Sequence, residues 1–389
     1  MKVLIVAGYQ TMNYGSVLQT FATVKMLEKL ETESEILNLD QLWPVIKKRK
    51  IRFYLLSGDL LFFIKSKGRW CASLLWGKID QDYGTQFQNR RQKFAAFLRD
   101  RIPLTTTVKN WQEATALCRD YDAVMLGSDQ LWLPSSVVTD TYTLGFAKDM
   151  TTIAFATSFG IGNIRKKYRQ SYATMFTHLD FISLRERSGA EIVKEICGKE
   201  CDVVADPVMM LSKAEWEQAI PYREVEHGKK YIFCYLLGRN RWQREAIRTF
   251  ADKKGYPVIA LIHLDEYITY DEEYFDQTFV DLSPEDFLNY IRNAEFIVTD
   301  SYHGTVFSLL ENKEFAVLKR FSDHSSVSTN TRISHILSTF ALTDRLVSAK
   351  SDLDLLEQKI CYPSVNERIE KVRRFSFRFL EKALRNEDC

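Results

Sequence analysis

The chain opens on a β-branched apolar run, KVLIVA at residues 2–7, which ends in Gly8 and a polar loop from Tyr9 to Asn13. From Tyr14 to Leu30 the apolar residues Val17, Leu18, Phe21, Val24 and Leu27 recur at the three-to-four spacing of a helix. Continuous apolar runs at 36–39 (ILNL), 123–126 (AVML), 153–158 (IAFATS), 181–184 (FISL) and 203–204 (VV) predict further buried strands, with helical patterns at 165–178 and 188–197. After a helix near 212–220 comes the turn-like stretch PYREVEHGKK. The alternation then resumes: strand 231–237, helix 240–254, strand 257–262, helix 283–292, strand 295–299, helix 303–310 and strand 315–319. Strands and helices in alternation predict parallel sheets covered on both faces.

The expected organisation is an α/β chain in two similar halves, residues 1–222 and 223–364. A terminal segment, 365–389, carries a helix whose apolar face is Ile369, Val372, Phe375, Phe379 and Leu380. That helix either closes the second half or crosses back onto the first. Two domains also suit a length of 389 residues, at roughly 150 residues per domain.

One segment departs from the pattern. Residues 43–101 hold 14 Lys and Arg against four Asp and Glu, a net +10, which leaves the rest of the chain at −8. Within it, FYLLSGDLLFFI at 53–64 is flanked by Lys47 to Lys50 and by Lys65, Lys67 and Arg69. Such a basic, aromatic-rich helical insertion in the first half can lie on an anionic membrane surface through residues 47–69. The alternative is a core-packed insertion with a solvated basic rim. A formal charge of +2 for the whole chain excludes a protein built to grip nucleic acid along its surface.

The seven cysteines are scattered, and only Cys197 and Cys201 lie near each other, without a second ligand pair for zinc. The others read as small buried apolar residues, and His178, His227, His263 and His335 as structural. No carboxylate cluster with hard-cation spacing occurs, so no metal is expected. The apolar start is too short for a signal peptide and no run of 18 apolar residues occurs, so a reducing, cytoplasmic setting is expected.

Ligands of open parallel sheets sit outside the carboxyl ends of the strands, so residues just after each strand are the candidates. In GYQTMNYGS (8–16), Asn13, Tyr14 and Gly15 precede free helix amides that can bind an anion, or Asn13 is simply a helix cap. In LGSDQLW (126–132), Asp129 can act as a base or orient a hydroxyl, Gln130 can donate to it, and Trp132 offers a flat face to a sugar ring; Ser128 and Asp129 can equally be a capping pair. In ATSFG (156–160), Ser158 ends a strand, as a substrate contact or for close packing. VTDSYHGT (298–305) sets Asp300, Ser301, His303, Gly304 and Thr305 between an apolar strand and a helix, where a histidine can exchange protons and helix-end amides can bind an anion. Arg185 follows the strand FISL and can fork onto a carboxylate or phosphate, or pair with Glu186 or Asp206. Lys319, Arg320, His324 and Arg332 can add a second cationic wall.

The order NYGSVLQTFA, LGSDQLW, IAFATSFG, ISLRERSG, VVADPVMML and VTDSYHGTVFSLL resembles the polysaccharide pyruvyl transferase family, from about residue 8 to residue 320. The resemblance implies two Rossmann-like domains facing a cleft, a GT-B-like glycosyltransferase architecture. It also implies transfer of a pyruvyl group from phosphoenolpyruvate, a co-substrate, to two hydroxyls of a sugar, with no cofactor expected. The acceptor expected from the family is a cell-surface glycan or its lipid-linked precursor, handled at the inner face of the cell membrane. The family histidine falls on His303 and the basic residue of its R-E motif on Arg185; Leu133 stands where the family often has asparagine after the tryptophan.

On this reading His303, Asp300 and Asp129 are catalytic, and Arg185, Ser301, Gly304, Thr305 and Arg320 bind the donor. Asn13, Tyr14, Gly15, Ser128, Gln130, Trp132 and Ser158 bind the acceptor. The alternatives are a sugar-nucleotide glycosyltransferase on the same fold, and a non-catalytic envelope-assembly protein docking through the basic segment.

Overall fold

A computed structural model describes residues 1–57, 81–225, 230–262, 268, 270–321, 330–349, 353 and 358–387. The chain forms two compact units, one from the described residues of Met1–Leu61, Arg99–Leu211 and Ile369–Cys389, the other from those of Phe62–Leu98 and Ser212–Arg368. Each is built on a parallel six-stranded sheet.

In the first unit the strands are β1 (Lys2–Val6), β2 (Glu33–Ile36), β3 (Ala123–Leu126), β4 (Thr151–Thr157), β5 (Phe181–Leu184) and β6 (Asp202–Val203), in the order β2-β1-β3-β4-β5-β6. The order reverses direction between β1 and β3. In the second unit β7 (Ile232–Tyr235), β8 (Val258–Leu261), β9 (Gln277–Phe279), β10 (Phe296–Thr299), β11 (Glu314–Leu318) and β12 (Leu346–Val347) run β12-β11-β10-β7-β8-β9, the doubly wound dinucleotide-fold order with its reversal between β7 and β10. The central strands β3, β5, β7, β8 and β10 are buried at every position, because helices cover both faces.

The edge strands are where sequence and structure part. The first-sheet edge lies at Glu33–Ile36, ahead of the expected ILNL, and β9 and β12 have no counterpart in the apolar pattern. An edge strand is half solvated, so it need not be apolar.

The terminal helix, Tyr362–Leu384, starts in the second unit and finishes in the first. Arg373 donates to the carbonyls of Met209 (2.8 Å) and Leu211 (3.2 Å), and Ser376 accepts from the Ala205 amide at 2.8 Å. Ile369, Ser376, Leu380 and Ala383 form the buried face, whereas Phe375, expected inside, is 38% exposed. Polar Arg373 and Ser376 take inward positions because each has a backbone partner there.

The basic segment divides as well. The helix Trp43–Ser57 goes with the first unit. In the helix Gln81–Arg101, Arg90 donates to the Val280 carbonyl (3.1 Å), Lys93 pairs with Asp281 (3.0 Å) and Gln86 accepts from the Val280 amide (3.2 Å), so residues 81–98 go with the second. Residues 58–69 of the expected membrane segment, Cys71, Cys389, His227, His263 and His324 lie outside the described residues. Cys361, expected to be buried, is exposed.

Candidate active site

At the β1/β3 reversal of the first unit, Asn13 caps the helix Tyr14–Glu28, accepting from the Ser16 amide at 3.2 Å. Tyr14 and Gly15 are buried inside that helix. The Ser16 hydroxyl donates 2.5 Å to Oδ2 of Asp129, the residue two past Gly127 at the end of β3.

Asp129 sits in the left-handed region, φ +87, and Ala156 in β4 does so too, φ +51, where the β4–β5 register shifts. A non-glycine residue held there stores roughly 1–3 kcal/mol, a cost that surrounding bonds must offset. They do: the Asp129 carbonyl accepts from the amides of Ser158 (2.9 Å) and Leu131 (2.8 Å), and Ser128 donates to the Ala156 carbonyl at 2.7 Å.

Arg185, just past β5, has a side chain only 1% exposed; Nη1 lies 2.6 Å from Oδ2 of Asp206, Nη2 3.7 Å from Asp129, and Nε 3.9 Å from Glu186. Three carboxylates surround one guanidinium. Of the partners the sequence offers Arg185, Asp206 is the closest, with Asp129 and Glu186 also near. Ser158 donates to Glu186 at 2.8 Å and Ser128 to Asp206 at 3.2 Å, which fixes both hydroxyls within this network and away from an acceptor. Burial first, and the Asp129 charge second, raises the Tyr142 hydroxyl above its ordinary value.

In the second unit the β7/β10 reversal is closed by Asp300. Oδ1 accepts from the Leu237 amide (2.6 Å) and Oδ2 from the Gly238 amide (2.7 Å), and Arg320 Nη2 reaches the Asp300 carbonyl (2.8 Å) and Oδ1 (3.3 Å). A side chain at Gly238 would place its Cβ 2.8 Å from Oδ2, so only glycine lets the loop approach. Asp300 is fully buried with both oxygens engaged, and it clamps the strand ends together.

Ser301 caps the helix Tyr302–Leu310, accepting from the Gly304 amide at 3.4 Å, and its own amide donates to Thr299 Oγ1 at 3.0 Å. Gly304 is pressed onto Thr299, where an added Cβ would meet Oγ1 at 2.4 Å. Thr305 turns its hydroxyl onto the Ser301 carbonyl (3.0 Å), which removes it from the donor-binding set. His303, on the first turn, is buried to 6% exposure with its ring perpendicular to Tyr302 at 5.3 Å, and the Arg332 guanidinium lies 5.7 Å from the Tyr302 ring.

A family model for polysaccharide pyruvyl transferase matches residues 13–320, from the Asn13 cap to Arg320. The chain belongs to the polysaccharide pyruvyl transferase family. No curated protein matches the chain. Among solved structures it is similar to a candidate UDP-N-acetylglucosamine 2-epimerase from Listeria monocytogenes, at 13% identity over 100% of this chain and 97% of that one, TM-score 0.56. It is also similar to the UDP-GlcNAc 2-epimerase from Methanocaldococcus jannaschii, at 12% identity over 96% and 100%, TM-score 0.52. These likenesses are to the fold, which is GT-B-like, with two Rossmann-like units.

In this pyruvyl transferase family member, Trp132 has a packed surround. Trp132 is fully enclosed, its indole N–H donating to the Tyr142 carbonyl (3.1 Å) and its ring packed edge-on against Phe159 and Phe176. It is core, not a sugar platform. Gln130, by contrast, stays at the surface of the site, lying over Gly160, whose φ is +65. Sequence reasoning missed Ser16 as the partner of Asp129, and Gly238 as the partner of Asp300. The glycine shortly after β7, in YLLGRN, was the available signal for the second. Among the described residues no group of three His, Cys, Asp or Glu side chains is placed to hold a metal ion.

Proposed function

We propose that the protein transfers the pyruvyl group of phosphoenolpyruvate to two hydroxyls of a glycan, forming a cyclic ketal and releasing phosphate. The observation that supports it most is the family match, which runs through residue 320 and so takes in His303 and Arg320, both just past the carboxyl ends of their strands at β10 and β11.

The chemistry asks for one proton donor and for positive charge. A proton delivered to the methylene carbon turns the enol phosphate into an electron-poor centre, and the first sugar hydroxyl adds to it, losing its own proton. The second hydroxyl then forms a C–O bond as the C–O bond to phosphate breaks, its proton leaving with the phosphate. His303 is the proposed proton-transfer group, and Arg320 with the amides of the first turn after Ser301 the proposed anion site. Asp129, held by Ser16, is the first unit's candidate to take a hydroxyl proton, with Gln130 beside it. The acceptor proposed is a lipid-linked precursor of a surface polysaccharide.

The test is phosphate release from phosphoenolpyruvate across a panel of glycan acceptors, with the ketal methyl followed by NMR. One phosphate per ketal is expected, and His303→Gln should lose turnover. Release of a nucleoside diphosphate from a sugar nucleotide, with phosphoenolpyruvate untouched, would replace this reading with that of a glycosyltransferase.

A further inference from the structure

The helix Trp43–Ser57, WPVIKKRKIRFYLLS, has a single buried residue, Ile46. Trp43 and Phe53 pack partly buried against the core beside Ile46, while Val45, Lys47, Lys48, Arg49, Ile51 and Arg52 between them are exposed. The helix holds five cations and no acid. Lys50 turns inward over the rings of Trp43 (5.6 Å) and Tyr142 (5.5 Å), which leaves Lys47, Lys48, Arg49 and Arg52 on the exposed surface. Among them stand Leu55 and Leu56, 55% and 76% exposed, and Val45 and Ile51, also exposed. Bare aliphatics between bare cations are costly in water and suit an interface that offers both hydrocarbon and negative charge.

A cavity of about 470 Å³ opens beside this face. Phe53, Leu56, Val138 and Tyr168 give it an apolar wall, with the Phe53 and Tyr168 rings 5.4 Å apart, and Arg49, Arg52 and Lys167 give it a cationic one. Among the described residues that line it, Asp140 is the one carboxylate. The Lys167 ammonium is also tied to the helix end, donating to the Ser57 carbonyl at 2.8 Å. An amphiphilic anion, a phosphate head with a hydrocarbon chain, matches both walls.

We infer that this face docks the protein on an anionic membrane surface, with the cavity receiving the phosphate head and the first carbons of one lipid. The geometry belongs to an interfacial contact: among the described residues no helix is long and apolar enough to cross a membrane. The inference does not depend on the donor chemistry, since none of its residues belongs to the proposed site.

The test is co-flotation of the full chain with vesicles of phosphatidylglycerol and phosphatidylcholine (about 3:7), against phosphatidylcholine alone. Binding to the anionic vesicles is expected to be at least about tenfold tighter and to weaken with salt. Arg49→Gln with Arg52→Gln should lower it by about thirtyfold, and Leu55→Ser with Leu56→Ser by about tenfold. All these positions are exposed, so the variants should fold, and phosphate release on a water-soluble acceptor should be unchanged in them. Absent binding, equal binding to neutral vesicles, or affinity unmoved by both double variants would overturn the inference; a protein partner captured by the same face without vesicle binding would do so too.

Discussion

The Ser16 hydroxyl lies 2.5 Å from the Asp129 carboxylate, across 113 residues of chain. The bond joins the loop after β1 to the loop after β3, and so spans the point where the strand order of the first sheet reverses. Asp300 makes the equivalent closure in the second unit, from the end of β10 to the amides after β7. Each half of the chain thus carries its candidate chemistry at its own reversal point, the place where ligands of open parallel sheets usually bind.

Asp206 sets the charge balance around Arg185. Asp206→Asn leaves a buried guanidinium without its closest partner, 2.6 Å away, and should lower stability by about 3 kcal/mol. Arg185→Met combined with Asp206→Asn should cost less than the two single changes added together, because the charge itself is gone. Urea unfolding of the four proteins measures the coupling; strict additivity would show that the pair is not energetically linked.

Gly304→Ala should be more harmful than a surface alanine. Its Cβ would press on Thr299, whose Oγ1 donates to the Tyr235 carbonyl at 2.6 Å and accepts from the Ser301 amide, so the side chain cannot swing away. A loss of about 1–3 kcal/mol is expected from overpacking, and kcat for phosphate release should fall as the turn carrying His303 shifts. Thermal unfolding and steady-state kinetics check the two parts.

Trp132→Phe separates core from platform. It removes the donor to the buried Tyr142 carbonyl and should cost about 1–3 kcal/mol, with KM for the acceptor unchanged. A raised KM at undiminished stability would restore Trp132 to the acceptor site.

Lys50 gives a pH signature. Burial pushes its ammonium down to about 8, below the 10.5 of a free lysine. Between about pH 8 and 10.5 the unfolded chain therefore holds a proton that the folded one has released, so this residue's contribution to stability rises with pH through that window. Below it the buried charge is penalised. Lys50→Met should be the more stable protein at pH 7 by about 1–2 kcal/mol, and its advantage should shrink steadily as pH rises from 8 towards 10.5. Denaturation midpoints of the pair across that range read the difference.

Much of the site was legible in the order of residues, since strand ends can be located from apolar runs and the polar residues that follow them are few. Asn13, Asp129, Arg185, Asp300, Ser301 and His303 all lie in the segments that follow strands. What each side chain does there was less legible. Trp132, Ser128 and Thr305 look like substrate contacts when read along the chain, but each is turned inward by a partner distant in sequence or by its own helix backbone.

Burial of central strands on both faces forces continuous apolar runs, which is why the alternation of strands and helices, the two halves and the candidate loops could be read from sequence alone. The half-solvated edges β2, β9 and β12, the return of the terminal helix to the first unit, and the division of the basic segment obey no such local constraint. They are decided by which distant backbone groups are left to satisfy, as Arg373 does for Met209 and Leu211, and Arg90 for Val280. The same holds at the reversal points: a sequence can place a carboxylate after a strand, but only the folded sheet determines whether it meets a hydroxyl, as Asp129 does, or two amides and an arginine, as Asp300 does.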